Sequence, residues 1–273
     1  MTRLGLLLVF SAFGCGGGDA PPGGPARVVS LVPSVTETVF RIGAGDRLVG
    51  NTTYCDYPAA ARRVYKVGDF VNPDIERIVS LRPSLVFLSL PVHRMIADKL
   101  GELGIDCYVS APATVEGVLD EIDSVGTLLG AGDRARLLTD SLRARLALLA
   151  PPADTPDVYV EVSATPLMSA GGRTFLSSVI ARAGGHNIFA DVDQDYPAVD
   201  PEQIIRADPD VVLVLHPEAG AHDVAGRLGW DRVAAVRYGR VYDDLDPDLL
   251  VRPGPRVVDG IEILARRLHP ERG

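Results

Sequence analysis

The sequence predicts an α/β protein: two Rossmann-like α/β lobes joined by one long backbone helix, with a ligand cleft between the lobes. Three observations carry that prediction. A long amphipathic stretch lies mid-chain, a pair of matching segments flanks it, and short apolar runs alternate with helical patterns on both sides. The amphipathic stretch is Asp133 to Ala150, where Ala135, Leu138, Leu142, Leu146 and Leu149 recur at three- and four-residue steps as one apolar stripe. Arg136 and Asp140 sit one turn apart, where opposite charges can pair. Gly132-Asp133 is a start signal and Pro151-Pro152 a stop. At about 1.5 Å per residue the helix runs roughly 27 Å, close to the width of a small domain.

The matching segments are ERIVSLRPSLVFL, from Glu76 to Leu88, and EQIIRADPDVVLV, from Glu202 to Val214. Superposed without gaps, Glu76 falls on Glu202, Ile78 on Ile204, Pro83 on Pro209 and Val86 on Val212. Each copy reads as a short helix opened by a proline (Pro73, Pro201), a turn at the second proline, then a buried strand. The stripe of 133–150 alone fits any surface helix. Its place between two copies makes it the joint.

In chain order, Arg3 and the apolar run Leu4 to Phe13 suit a signal peptide and are too short to span a bilayer. Ala12-Phe13-Gly14-Cys15 resembles a lipoprotein processing site, with Ala12 where leucine is usual, so residues 1–15 are expected to be a lipoprotein-type signal peptide and Cys15 the lipidated residue. The alternative is an ordinary secreted protein with an incidental cysteine. Residues 16–26, GGGDAPPGGPA, are a flexible tether, as an anchored domain needs.

The expected lobes are 27–131 and 151–273, with 132–150 as the backbone helix. In the first lobe, Arg27–Val32 is a strand candidate, and Ser34-x-x-Glu37 is a capping-box signature for a helix to about Ile42. Strands follow at Arg47–Asn51, Leu85–Ser89 and Ile105–Val109, with helices at Glu76, Val92–Leu103 and Thr114–Leu129. In the second lobe, strands are expected at Val158–Val162, Asn187–Phe189, Val211–Leu215 and Arg240–Asp243. Helices are expected there at Thr174–Ala183, Pro201–Arg206 and Val257–Leu268. This is the βαβ pattern of parallel sheets covered by helices.

A net charge of −9 argues against nucleic acid and against a polybasic membrane-binding surface. Cys55 and Cys107 do not make a disulfide framework. Cys107, in the apolar run Ile105–Val109, is expected in the core, and Cys55, in a polar turn, at the surface.

Open parallel sheets bind ligands outside the carboxyl ends of their strands. The loops there supply Tyr54, Cys55, Asp56, Tyr57, Phe70, Ser89, His93, Met168, Arg173, Tyr196, His216 and Asp246 to Arg252. That set of aromatic and mixed polar groups suits an organic ligand gripped between apolar faces.

From Arg27 to about Arg267 the chain resembles the substrate-binding proteins of bacterial ABC importers for cobalamin, ferric siderophores and haem. The resemblance rests on RVVSLVPSVTET (27–38), YCDYP (54–58), VGDF (67–70), IERI (75–78) and GGHNIF (184–189), in order. The cobalamin-binding branch is the most similar. The resemblance implies a two-lobed receptor with a rigid helix and cobalamin or a related corrinoid as transported ligand, with haem or a ferric siderophore as the alternative. It implies no resident cofactor. It also implies two lobe-tip glutamates, Glu76 and Glu202, that dock on a permease dimer, and a monomer held to the membrane only by its lipid anchor. Pocket positions carry over to Tyr54, Phe70, Ser89, Met168, Tyr196, Asp248 and Arg252. Phe70, Ser89 and Tyr196 stand where the cobalamin-binding protein has tryptophans, and Met168 replaces a phenylalanine, which reduces the apolar grip.

The histidines His93, His186, His216, His222 and His269 are scattered, which disfavours a bare-metal site, although His93 and His216 could meet across the cleft to hold haem or a chelate. An enzyme is the weaker reading, since neither a G-x-S-x-G elbow nor a P-loop is present. Asp191, Asp193 and Asp195 alternate like a calcium loop but lack the glycine and terminal glutamate of an EF-hand.

Overall fold

Two parallel sheets, each with its own outer layer of helices, share one central core. A computed structural model describes residues 26–149 and 154–270. The signal peptide, Cys15, residues 16–25 of the tether and the Pro151-Pro152 stop lie outside the described residues.

The first sheet takes β1 (Val28–Ser30), β2 (Leu48–Asn51), β3 (Leu85–Leu88) and β4 (Asp106–Val109), with helices α1 (Pro33–Arg41), α2 (Ile75–Ser80), α3 (Arg94–Glu102) and α4 (Val115–Leu128). Helix α5 (Gly132–Leu148) leads to the second half. There β5 (Asp157–Glu161), a hairpin of β6 (Ser163–Ala164) and β7 (Leu167–Met168), α6 (Phe175–Arg182) and β8 (His186–Asn187) come first. They are followed by α7 (Pro201–Ala207), β9 (Val211–Val214), α8 (Ala221–Ala225), α9 (Ala234–Arg237), β10 (Val241–Tyr242), α10 (Pro247–Val251) and α11 (Val257–Leu268).

The strand orders are β2-β1-β3-β4 and β8-β5-β9-β10, the same connectivity twice, with all neighbours in both sheets parallel. Parallel pairing needs helical crossovers, and right-handed crossovers in one direction put their helices on one face. Hence α2 and α3 cover one face of the first sheet, where Ile78 and Leu100 pack on Val29, Leu31, Val86 and Leu88. By the same logic α7 to α9 cover the second sheet, where Ile204, Val224 and Trp230 pack on Tyr159, Val212 and Val214. The opposite faces of both sheets meet a single core that runs through α1, α4, α5, α6 and α11.

Helix α5 buries Ala135, Leu142 and Leu146 of its stripe in that core. Its amino end is held to the first half, where Arg134 donates to the Gly43 carbonyl (3.0 Å). Its carboxyl end is held to the second half, where Arg145 makes a forked contact to Glu262 (2.9 and 2.8 Å) and reaches Asp259 (2.6 Å). Arg136 pairs with Asp133 rather than Asp140, which Arg143 takes at 3.8 Å. Gly126 lets α4 and α5 touch, since a Cβ there would lie 2.3 Å from the Ala135 Cβ.

Three local expectations are corrected. The capping box at Ser34 and Glu37 does not form, because Pro33 with its pre-set φ starts α1 one residue earlier and Val32 is the N-cap. Cys107 is exposed and Cys55 buried, the reverse of expectation. The reason is topological: β4 is an edge strand that exposes most of its residues. The Cys55 turn folds inward, and its thiol accepts from Thr36 Oγ1 at 3.2 Å.

Candidate functional site

The first sheet ends its strands on one cavity. Val32 and Pro33 follow β1, Tyr54 follows β2, Ser89 follows β3 and Ser110 follows β4, and all of them line a cavity of about 440 Å³ together with Phe70. Asp248 and Val251 of α10, with Arg252 just beyond it, close the opposite wall. Of the ligand residues predicted from sequence, Tyr54, Phe70, Ser89, Asp248 and Arg252 therefore meet around one space.

Each of these side chains is held by chemistry behind it. The loop that carries Tyr54 is tied down by Lys66, whose ammonium donates to Asn51 Oδ1 (2.7 Å) and to the carbonyls of Thr52, Cys55 and Ala61 (3.0, 3.1 and 3.1 Å). Burial lowers the Lys66 pKa, opposed by its charged neighbours. Phe70 and Ser89 are joined through the buried His93: its Nε2–H donates to the Phe70 carbonyl (2.6 Å) and its Nδ1 accepts from the Ser89 N–H (3.0 Å). That pattern requires the neutral imidazole, and burial holds its pKa below the ordinary value. The Phe70 ring meets the His93 ring edge-on at 5.0 Å.

The far wall is an ion cluster. Arg252 contacts Asp248 at 2.8 Å, Asp56 at 2.9 Å and Glu37 at 3.5 Å. Arg256 grips Glu37 with two bonds of 2.7 Å and lies 4.0 Å over the Tyr57 ring. Burial works against ionising Asp56, but the Arg252 hydrogen bond and charge hold its carboxyl below the usual range. Burial pushes the Asp248 carboxyl up, with Arg252 opposing and Asp246 and Asp56 adding to it. Three carboxylates against two guanidiniums leave the cluster anionic overall, and its bonds cross from α1 and the Tyr54 loop to α10 and α11.

Met168, Tyr196 and His216 do not line this cavity. Met168 is half-buried on β7, and Tyr196 is exposed in the loop that follows the three aspartates. Gly171 and Gly172 permit that loop to lie close, since a Cβ on either would come within 2 Å of a carbonyl oxygen, at 1.9 and 1.8 Å. His216 stands outside the cavity, held by bonds of its own. Its side chain is 4% exposed, Nε2 is bonded to Glu161 (2.9 Å) and Nδ1 accepts from the Glu218 N–H (3.1 Å). With both rings internally engaged, His93 and His216 do not meet across a cleft. Among the described residues no cluster of histidine, cysteine and carboxylate side chains could hold a metal ion. Glu76 and Glu202 are exposed on the first turns of α2 and α7, equivalent helices of the two outer layers.

Two sheets of identical connectivity, one helix between them and a ligand-sized cavity at strand ends define a two-lobed receptor for a small molecule. The chain belongs to the periplasmic binding protein family, whose model matches residues 28–249. Its sequence is 33% identical over 258 residues to the uncharacterized ABC transporter substrate-binding lipoprotein YvrC of Bacillus subtilis (strain 168), covering 90% of this chain and 81% of that one. The periplasmic vitamin B12-binding protein BtuF of Vibrio cholerae superposes with a TM-score of 0.73 at 30% identity, over 91% of this chain and 98% of that one. The periplasmic haem-binding protein RhuT of Roseiflexus sp. RS-1 superposes with a TM-score of 0.79 at 26% identity, over 90% and 99%. It is a substrate-binding protein, not an enzyme, and members of this family work outside the cytoplasm. Among the described residues no helix is long and apolar enough to cross a membrane.

Sequence reasoning missed Lys66, Glu37 with Arg256, and Glu161. The chain contains only Lys66 and Lys99 as lysines, so Lys66 in an arginine-rich sequence was a visible signal. Glu37 and Arg256 are 219 residues apart, and nothing local links them.

Proposed function

We propose that this chain is the extracytoplasmic substrate-binding protein of an ABC importer, that cobalamin or a related corrinoid is its ligand, and that Cys15 carries its lipid anchor. The observation that carries this reading is the cavity at the four strand ends of the first sheet, with Tyr54 and Phe70 as aromatic faces opposite Asp248 and Arg252. A cavity of about 440 Å³ falls within the range of small-molecule sites, and a corrinoid extends beyond it. Met168 and Tyr196, on the second lobe, provide the further contact surface. The two jaws are 27–131 and 151–273, the protein acts as a monomer, and Glu76 and Glu202 engage a permease dimer. Their equivalent places on α2 and α7 suit two matching cationic sites on a two-fold partner.

Haem is the second reading, favoured by the likeness to RhuT. The bonds that the His93 and His216 rings already make give no support to imidazole ligation of its iron.

Calorimetric titration with cyanocobalamin and with haemin, read beside absorbance spectra, tests both. The corrinoid reading expects cyanocobalamin to bind and Phe70→Ala to lose about ten- to a hundredfold in affinity, as removal of an aromatic face worth about 1–3 kcal/mol implies. Binding of haemin alone would replace the ligand, and wild-type affinity in Phe70→Ala would move the site.

A further inference from the structure

On the outer layer of the second lobe, Glu202 shares a surface groove of about 950 Å³ with Ile205, Arg227, Leu228 and Trp230. The groove lies between α7 and the turn that leads into the short 3-10 segment at Trp230. Leu228 is 98% exposed, so this apolar side chain gains nothing from the fold and is left to water. The wall behind it is rigid. Trp230 is fully buried, the Arg227 guanidinium lies 5.0 Å over its ring, and Arg227 is locked to the buried Glu161 by bonds of 2.5 and 2.7 Å. Glu161 neutralises Arg227, so the charges the groove leaves open to a partner are the Asp200 and Glu202 carboxylates and the Arg206 guanidinium, beside the apolar Ile205 and Leu228.

We propose that this groove receives an apolar side chain of the permease subunit that docks on Glu202, so that the second lobe is held by an apolar anchor as well as by charge. This rests on the docking role proposed above for Glu76 and Glu202. The groove is continuous with Glu202, and the combination of carboxylate and apolar pocket calls for a partner with a cation next to a hydrophobic residue. A second copy of this chain is the poorer occupant, since a net charge of −9 sets two copies against each other. The equivalent outer connection of the first lobe, α3, likewise leaves an apolar side chain in water, Met95 at 84% exposure.

The test is docking of the ligand-free full chain on its transporter reconstituted in liposomes, for wild type, Leu228→Asp, and the Glu76→Ala/Glu202→Ala double variant. Leu228 makes no core contact to lose, and thermal melts check that each variant folds. Leu228→Asp is expected to weaken docking about ten- to a hundredfold, with a loss that persists at high salt, as burial of a leucine implies. The double variant is expected to weaken it in a salt-dependent manner. Undiminished docking by Leu228→Asp, with the double variant defective, would overturn the groove and leave the glutamates' role intact. Undiminished docking by the double variant would overturn the docking reading itself. Self-association of the wild type that Leu228→Asp abolishes, with docking unchanged, would assign the groove to a second copy instead.

Discussion

Lys66 is the residue on which the Tyr54 loop depends. One ammonium shares its three N–H groups among a buried asparagine oxygen and three carbonyls, all within 3.1 Å. Methionine at this position keeps the stem but leaves Asn51 Oδ1 and the Cys55 carbonyl without a donor, while the Thr52 and Ala61 carbonyls keep the Cys55 N–H and Asn51 Nδ2, at a cost of about 2–3 kcal/mol. Lys66→Met should therefore lower the melting temperature and, because Tyr54 is no longer held, weaken ligand binding too; chemical denaturation and calorimetry measure the two effects separately. Glu121 is a second such residue. It is buried on α4 with a hydrogen bond from Ser110 Oγ (3.1 Å), and burial raises its pKa to about 7 from an ordinary 4.5, with the Ser110 bond opposing. A carboxyl with a raised folded-state pKa binds its proton more tightly in the native than in the unfolded chain. Its ionisation thus costs nothing below the unfolded value, and the cost grows as pH rises to about 7. Glu121→Gln should be more stable than wild type at pH 8, by up to about 3 kcal/mol, with the difference vanishing near pH 4. Urea unfolding of both proteins across that range checks the sign. Neither residue stood out beforehand, because a buried charge is recognised by what surrounds it. The strand-end loops did stand out, since the rule that places ligands there needs only the order of strands and helices. Cys55 and Cys107 failed for the same reason in reverse: local polarity says little when a turn folds inward or a strand lies on an edge.

At the scale of elements, the α4–α5 contact joins the first sheet to the connecting helix. Gly126 faces Ala135 so closely that a methyl group would be 2.3 Å from its neighbour. Alanine favours a helix over glycine by up to about 1 kcal/mol, whereas overpacking a tight contact costs about 1–3 kcal/mol. The second effect wins where the neighbour is another helix. Gly126→Ala should destabilise the protein by about 1–2 kcal/mol, and denaturant unfolding at fixed pH reads it. The main strands and helices were legible because their apolar periods are regular: α11 spans Val257–Leu268 as the pattern requires, and α4 runs Val115–Leu128 with Thr114 as its N-cap, within a residue of the expected bounds. The hairpin of β6 and β7 and helices α8 to α10 were not, for each has too few residues to show a period.

At the scale of the molecule, the two lobes are not separate bodies on a hinge. Their inner faces share one core, in which Val28 and Phe87 of the first sheet belong with Val158 and Leu213 of the second. Helix α5 crosses that core and is fixed at both ends, and the buried Glu37 is paired with the partly buried Arg256 between α1 and the start of α11. Wide closure would have to open apolar surface to water and break that pair, which would leave the buried Glu37 carboxylate without its partner. A ligand can drive a change only by as much as it prefers one state over the other. Small adjustments of the Tyr54 loop and of α10 cost far less. Small-angle scattering with and without saturating ligand should give nearly the same radius of gyration. Marked compaction on binding would mean that the shared core opens in solution and that the lobes move as independent bodies.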